Sequence, residues 1–225
     1  MTHGDFVASI NRMAREAQEA QTQSFDPRAD RMFEAMEIMR TAPRMVQDVK
    51  QLPEMVESES LRLAVEDWKP DTGSLILLGP TAPGKTCAAA LALWRALEHG
   101  VMVGGPAWNA VRYSRWQNAQ RLTRAYQDSK LGSEPEALGE SARASILVLD
   151  DLGWDVSVDS IADVLNRRYE SCRHSIITSG LTRDELTERY GDAVCRRMFE
   201  SGGKPATVVE FDEATQTFRV DRGTT

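Results

Sequence analysis

Histidine and cysteine are scarce, with three of each in 225 residues. Cys87, Cys172 and Cys195 lie far apart with no C-x-x-C spacing, and His3, His99 and His174 are equally scattered. That pattern argues against a disulfide framework and against a metal centre built from these side chains. Long apolar runs are missing too: nothing approaches the ~20 residues needed to cross a bilayer. The N-terminus lacks a basic stretch followed by an apolar one, so it is not a signal peptide. A cytoplasmic protein with no membrane partner is expected. Excess positive charge is the last absence. Lys and Arg number 27 against 34 Asp and Glu, a net charge of −7, so any contact with nucleic acid must come from a local patch.

What is present falls into two textures. Residues 1–67 are expected to be helical throughout, with Phe6, Ile10, Met13 and Ala17, then Met32, Phe33, Met36 and Met39, then Met45, Val46, Val49 and Leu52 at helical spacing. Seven of the nine methionines fall here. Such a stripe either adapts to a partner or fills a small core with flexible side chains. From residue 74 onward, short apolar runs alternate with amphipathic stretches. "SLILLG", "VMVGG", "SILVLDD" and "SIITSG" read as strands, and a helix beginning at "GKTCAAALALWRALEHG" is expected to close at Gly100. A polar, arginine-rich helix is expected over roughly 107–130, and "ATVVEFDEATQTFRV" as a strand and hairpin turning at Glu213–Gln216. Alternating strands and helices imply an α/β fold with a parallel sheet covered on both faces. The expected division is a helical region, 1–67, and a nucleotide-binding domain, 68–225.

"GPTAPGKT" follows the first strand and opens a helix, the context a phosphate-binding loop requires. Gly79, Pro80, Thr81, Ala82, Pro83, Gly84, Lys85, Thr86 and Cys87 would wrap the phosphates with backbone amides at a positive helix end. Lys85 would reach the β- and γ-phosphates, and Thr86 would ligate Mg²⁺. Pro83 departs from the requirement, because it has no amide to donate. One lost charge-assisted hydrogen bond is worth about 1.5–3 kcal/mol, which weakens ATP binding without abolishing it. In "ILVLDDLG" four apolar residues lead to two acids at a strand's carboxyl end, where ligands of open α/β sheets gather. Asp150 would hold the metal, and Asp151 would orient or deprotonate the attacking water.

"GPTAPGKT", "ILVLDDLG", "IITSGLTRDEL" and "RYGDAVCRRM", in that order, resemble the AAA+ ATPases that load bacterial replicative helicases (the DnaC/DnaI type) and the related IstB-type transposon helpers. The resemblance covers about residues 70–211. It implies a P-loop NTPase with a five-stranded parallel sheet, ATP and Mg²⁺ as cofactors, and assembly into a ring or spiral with shared sites. It also implies an arginine finger at Arg197, with Arg196 the candidate should the register differ by one. Where the family usually ends a strand in a polar sensor, this chain has Gly180, so Thr178 or Ser179 would have to substitute. The chain ends soon after its last hairpin, so little or no C-terminal lid is expected.

One basic stretch stands out in this acidic chain. "WNAVRYSRWQNAQRLTRAYQDSK" sets Trp108, Tyr113, Trp116 and Tyr126 among Arg112, Arg115, Arg121 and Arg124. Cations for a backbone and aromatic faces for stacking suit single-stranded DNA, with Arg112, Arg115, Trp116, Arg121 and Arg124 as contacts. The alternative is a helix packed on the sheet with arginines on its wet face. The expected function is an ATP-dependent loader of a replicative helicase onto single-stranded DNA, with a short N-terminal region that suits a phage or plasmid protein. The alternatives are a transposition helper recruiting a transposase, and a slow or non-hydrolysing ATP-switched adaptor.

Overall fold

The computed structural model describes residues 27–80, 84–103, 113–128, 135–201, 203–212 and 214–223. The helical periodicity around Phe6, Ile10 and Met13 lies outside them.

Helix α1 (Pro27–Met39), a 3₁₀ turn (Arg44–Val46), α2 (Leu52–Met55) and α3 (Glu59–Asp67) precede the first strand. β1 (Leu75–Leu78), α4 (Lys85–Val103), β2 (Arg115–Asn118), α5 (Ala119–Gln127), α6 (Glu136–Arg143), β3 (Leu147–Leu152), α7 (Val158–Glu170) and β4 (Ser175–Ser179) follow. α8 (Arg183–Tyr190), α9 (Asp192–Phe199), the two-residue β5 (Glu200–Ser201) and β6 (Lys204–Pro205), β7 (Thr207–Asp212) and β8 (Thr217–Asp221) complete the chain. Six strands form one sheet in the order β2-β3-β4-β1-β7-β8. The first five run parallel, and β8 returns antiparallel on β7, with residues 214–216 in a turn between them; residue 213 lies outside the described residues. The expected five-stranded parallel core is therefore extended by one antiparallel edge strand. No helix follows β8 among the described residues.

Each central strand is apolar on both faces because helices cover both. β1 is wholly buried: Leu75 and Leu77 enter the cluster shared with α1, α3 and α4, while Ile76 and Leu78 enter the one built with α7, α8 and α9. Ala88, Ala89, Ala90 and Ala92 on α4 are fully buried, their small side chains permitting close approach to the sheet.

Two expectations are corrected. "VMVGG" is not a second strand: α4 passes through Gly100 and ends at Val103, and residues 104–112 lie outside the description. Gly100 does not adopt the left-handed backbone that would stop a helix. The second strand is instead "RWQN", in the middle of the stretch expected to be helical, and among the described residues of that stretch the helix is Ala119–Gln127.

Side chains on both sides of position 67 fill one cluster: Ala35, Met39, Val46, Leu52 and Leu61 pack with Trp68, Leu77, Leu91 and Leu93. Of the Met/Phe stripe, Met39 is core, whereas Phe33 and Met45 are each 62% exposed. Leu61 is fully buried, and its Cδ2 stands 3.6 Å from the position of a Cβ on Gly84 in the phosphate loop. Leu61→Ala should therefore cost about 2–5 kcal/mol of folding free energy. Denaturant unfolding would show it as a shifted midpoint in a single transition. A separate early transition confined to the N-terminal helices would show that they do not share this core.

Candidate nucleotide site

The carboxyl ends of β1 and β3 place the glycine loop and the two acids on one edge of the sheet. Gly79 (φ +130°) turns the chain out of β1, and a Cβ there would stand 2.6 Å from Phe211 Cβ, so glycine is required. Gly84 (φ +113°) leads into α4, whose first turn carries Lys85 and Thr86. The Lys85 ammonium, on a side chain only 7% exposed, donates to the carbonyls of Gly79 (2.9 Å) and Pro80 (2.6 Å). Burial lowers its pKa, while Asp151 and Asp150 draw it back up. Thr81, Ala82 and Pro83 lie outside the described residues. Cys87 is buried in the α4 core, so only its backbone can face a ligand, and burial raises its thiol.

The acid pair is shaped by an irregularity in the sheet. Between Leu149↔Ile177 and Leu152↔Ser179 the register shifts, so β3 spends one residue more than β4. Asp151 absorbs that residue with a left-handed backbone, φ +59°. Both acids meet at Thr178, whose hydroxyl donates to Asp150 Oδ1 (2.6 Å) and accepts from the Asp151 amide (3.0 Å). The Thr86 hydroxyl donates to the same Asp150 oxygen at 3.1 Å. Asp150 is 3% exposed; burial pushes its carboxyl up, and the bonds from Thr178 and Thr86 oppose that. Asp151 is exposed on the site's open side.

Asn118 was not marked by any motif. Strand register sets it beside Asp150, and its amide donates to Asp151 Oδ2 at 3.2 Å. Its other end caps α5 by accepting from the Arg121 amide at 3.2 Å. A strand ending in Asn directly before an amphipathic helix was the signal that could have revealed it. Past the acids, Gly153 N–H bonds both Asp155 Oδ1 and Tyr190 Oη at 3.1 Å, and the Tyr190 hydroxyl donates to the buried Asp155. Burial, then the Asp155 carboxylate, pushes the Tyr190 phenol well up. Arg189 bonds Asp155 at both its carbonyl and its carboxylate. This network fastens the loop behind the acid pair to α8 and so to α9.

The remaining candidates are scattered more widely. Ser179 is fully buried, donating to Leu152 O and accepting from the Leu181 amide. Gly180 leaves the Trp154 indole nitrogen 3.6 Å from where a Cβ would stand, and Trp154 is itself 66% exposed. Arg197 donates to Asn166 Oδ1 on α7 (2.8 Å) and lies over the Tyr169 ring, whereas Arg196 is exposed and forms no side-chain hydrogen bond or ion pair among the described residues. Of the expected DNA contacts, Arg121 and Arg124 lie on the exposed face of α5. Trp116 is 5% exposed and packed in the core, which corrects its expected role as a stacking platform. Arg115 points away toward Glu140, and Arg112 is outside the described residues.

Fold and site together define an AAA+ P-loop ATP-binding module. Within that class, the family model described as "IstB-like ATP binding protein" matches residues 26–199, and the chain belongs to that family. No curated protein matches the chain by sequence. Among solved structures it resembles DnaI (TM-score 0.53, 20% identity, 77% of this chain and 92% of that one). It also resembles a putative primosome component from Streptococcus pyogenes serotype M3 (0.50, 16%, 80% and 90%). Domain III of the Thermotoga maritima replication initiation protein DnaA is similar as well (0.50, 16%, 73% and 68%). At these identities the likeness is one of fold.

The donor set suits a magnesium nucleotide. Thr86 and Asp150 converge through one oxygen, and a hard cation that keeps most of its waters needs only one or two protein ligands. Lys85→Ala should therefore abolish ATP binding while leaving the melting temperature nearly unchanged, as titration calorimetry and thermal melting would report. Tight ATP binding by the folded variant would dissociate the loop from nucleotide recognition.

Proposed function

We propose that this protein is an ATP-dependent loader that places a hexameric replicative helicase on single-stranded DNA, working as an oligomer with shared ATP sites. The observation that carries the ATPase part is the convergence of Lys85, Thr86, Asp150 and Asp151 on one sheet edge, with Thr178 joining the acids. Bound magnesium would neutralise phosphate charge from Thr86 and Asp150. Lys85 exchanges its carbonyl partners for the phosphates, and Asp151 on the open side orients and deprotonates water. Asn118, holding the Asp151 carboxylate, keeps that base engaged until α5 shifts. Because Asn118 also caps α5, a strand gripped by Arg121 and Arg124 would reach Asp151 through a single side chain. Thr178 serves the acids and Gly180 offers no side chain, so hydrolysis by an isolated subunit is slow.

The finger falls to Arg196 in this reading. Arg197 is committed to Asn166 within its own subunit, whereas Arg196 projects from α9 toward solvent, where a neighbour's nucleotide could be reached. Residues 1–67 supply the helicase contact, with Phe33, Met45 and the 51%-exposed Leu63 as its described apolar points. The second reading, a helper that recruits a transposase, is favoured by the family match.

ATPase activity should rise with protein concentration, and Arg196→Ala should cut the maximal rate with little change in nucleotide affinity. Mixing Lys85→Ala with Arg196→Ala should partly restore turnover, because one subunit offers an intact loop and the other the arginine. Restoration by Arg197→Ala and not by Arg196→Ala would move the finger one residue along. A rate independent of concentration, with no rescue by either, would remove the shared site. The partner is decided by adding purified hexameric helicase and single-stranded DNA to the full chain. ATP-dependent stimulation of unwinding is expected. Its absence, together with ATP-dependent capture of the cognate transposase, would select the transposition helper.

A further inference from the structure

A short way past Asp151 the chain buries a further acid that no motif marked. The Asp155 side chain is fully enclosed, and three donors converge on its carboxylate. The Gly153 N–H (3.1 Å) and the Tyr190 hydroxyl donate to Oδ1, and Arg189 donates to Oδ2 (3.2 Å). Tyr190 is itself 6% exposed, with the Arg189 guanidinium over its ring. Filling such a space with apolar side chains is often neutral or stabilising. A buried carboxylate here is therefore explained better by the geometry it imposes than by the stability it adds.

That geometry concerns a single peptide unit, whose two ends are the Leu152 carbonyl and the Gly153 N–H. Ser179 Oγ donates to the carbonyl at 2.7 Å, while Asp155 Oδ1 and Tyr190 Oη share the N–H at 3.1 Å each. On the other side of Asp151, its own N–H donates to Thr178 Oγ1 at 3.0 Å. The left-handed residue is therefore gripped on both flanks, and the Trp154 N–H closes the turn onto the Asp151 carbonyl at 3.4 Å. Gly153 has φ +106°, and a Cβ there would stand 2.7 Å from Leu181 Cδ1, so the turn also packs against the chain leaving β4. A non-glycine residue keeps such a backbone only where its surroundings over-determine it. Of the four polar anchors, Thr178 and Ser179 belong to β4 and Asp155 to the loop itself. Tyr190 alone comes from α8, and Gly191 joins it directly to α9.

We infer that Asp155 and Tyr190 are positioning residues for Asp151: by holding the Leu152–Gly153 peptide they fix how the Asp151 carboxylate is presented in its own subunit's site. The inference rests on the proposed role of Asp151 in hydrolysis. It adds a division of labour at the α8–α9 junction. The Tyr190 hydroxyl serves the acid of its own subunit, whereas Arg196, on the next helix, serves the neighbour.

The test is Tyr190→Phe in the full chain, which removes one oxygen and keeps the ring in the core. The kcat for ATP should fall about tenfold or more, with KM and the ATP dissociation constant changed by less than about twofold. Leu186→Ala, a cavity in the same helix that removes no hydrogen bond, should lower the melting temperature further yet leave the kcat of the folded protein in place. A Tyr190→Phe subunit still offers its arginine but lacks a well-placed acid. Mixing it with Arg196→Ala should therefore restore turnover, and mixing it with Lys85→Ala should not. Rescue by neither, with a rate independent of concentration, would remove the shared site, and the split between kcat and KM would still support the clamp. Hydrogen–deuterium exchange reads the clamp without turnover: peptides covering 150–155 should exchange about tenfold faster in Tyr190→Phe, with those covering 85–103 unchanged. That exchange pattern in a protein without ATPase activity would support the clamp and remove the proposed hydrolysis. Unchanged exchange over 150–155, a loss of kcat matched by a loss of ATP affinity, or rescue by Lys85→Ala in place of Arg196→Ala would overturn the inference.

Discussion

One buried oxygen organises the site. Asp150 Oδ1 receives hydroxyl hydrogens from Thr86 at the start of α4 and from Thr178 on β4, so three elements distant in sequence are drawn to one carboxylate. Charge so far from water is tolerated because the hydroxyls solvate it, and each would leave it uncompensated if removed. The register shift in β3, the backbone of Asp151 and the placement of Lys85 all follow from keeping that oxygen where β3, β4 and the glycine loop meet. The phosphate loop is half of an arrangement whose other half is a hydrogen-bonded acid, and neither position is independent of the other.

Much of this was legible in the sequence because the signals were local. The glycine–lysine–threonine spacing and four apolar residues before two aspartates carry their own chemistry, and a parallel sheet follows from alternating short strands and helices. Failures came where tertiary context overruled local pattern. Gly100 looked like a helix stop, yet α4 continues through it. β2 escaped notice because only Trp116 of "RWQN" is buried, so no alternation marks a strand at the sheet's edge. The same misplacement made Trp116 look like a stacking residue. Asn118 was legible only as a helix cap, since its bond to Asp151 spans 33 residues, and the Asp155–Tyr190 bond, across 35 residues, left no local signal.

The helices before β1 show how a compositional signal can divide. Methionine richness suggested either core or contact surface, and the described residues divide between buried and exposed positions. Met39 is sealed beneath α4, whereas Met45 and Phe33 face outward. The described part of this region braces the helix that begins at the phosphate loop. Whatever binds its outer face would therefore press on elements that carry Lys85 and Thr86.

The left-handed backbone of Asp151 has a bearing on which acid can stand there. Side chains other than glycine pay about 1–2 kcal/mol in that conformation, with aspartate and asparagine among the least penalised. Glutamate would bring a longer reach and a poorer fit to the backbone. The choice between them is therefore made by the geometry of the strand as well as by proton affinity. A chain that lost the extra residue in β3 would relieve the backbone and at the same time turn this acid toward the other face of the sheet. Through that constraint, the spacing of the sheet itself bears on which amino acid suits position 151.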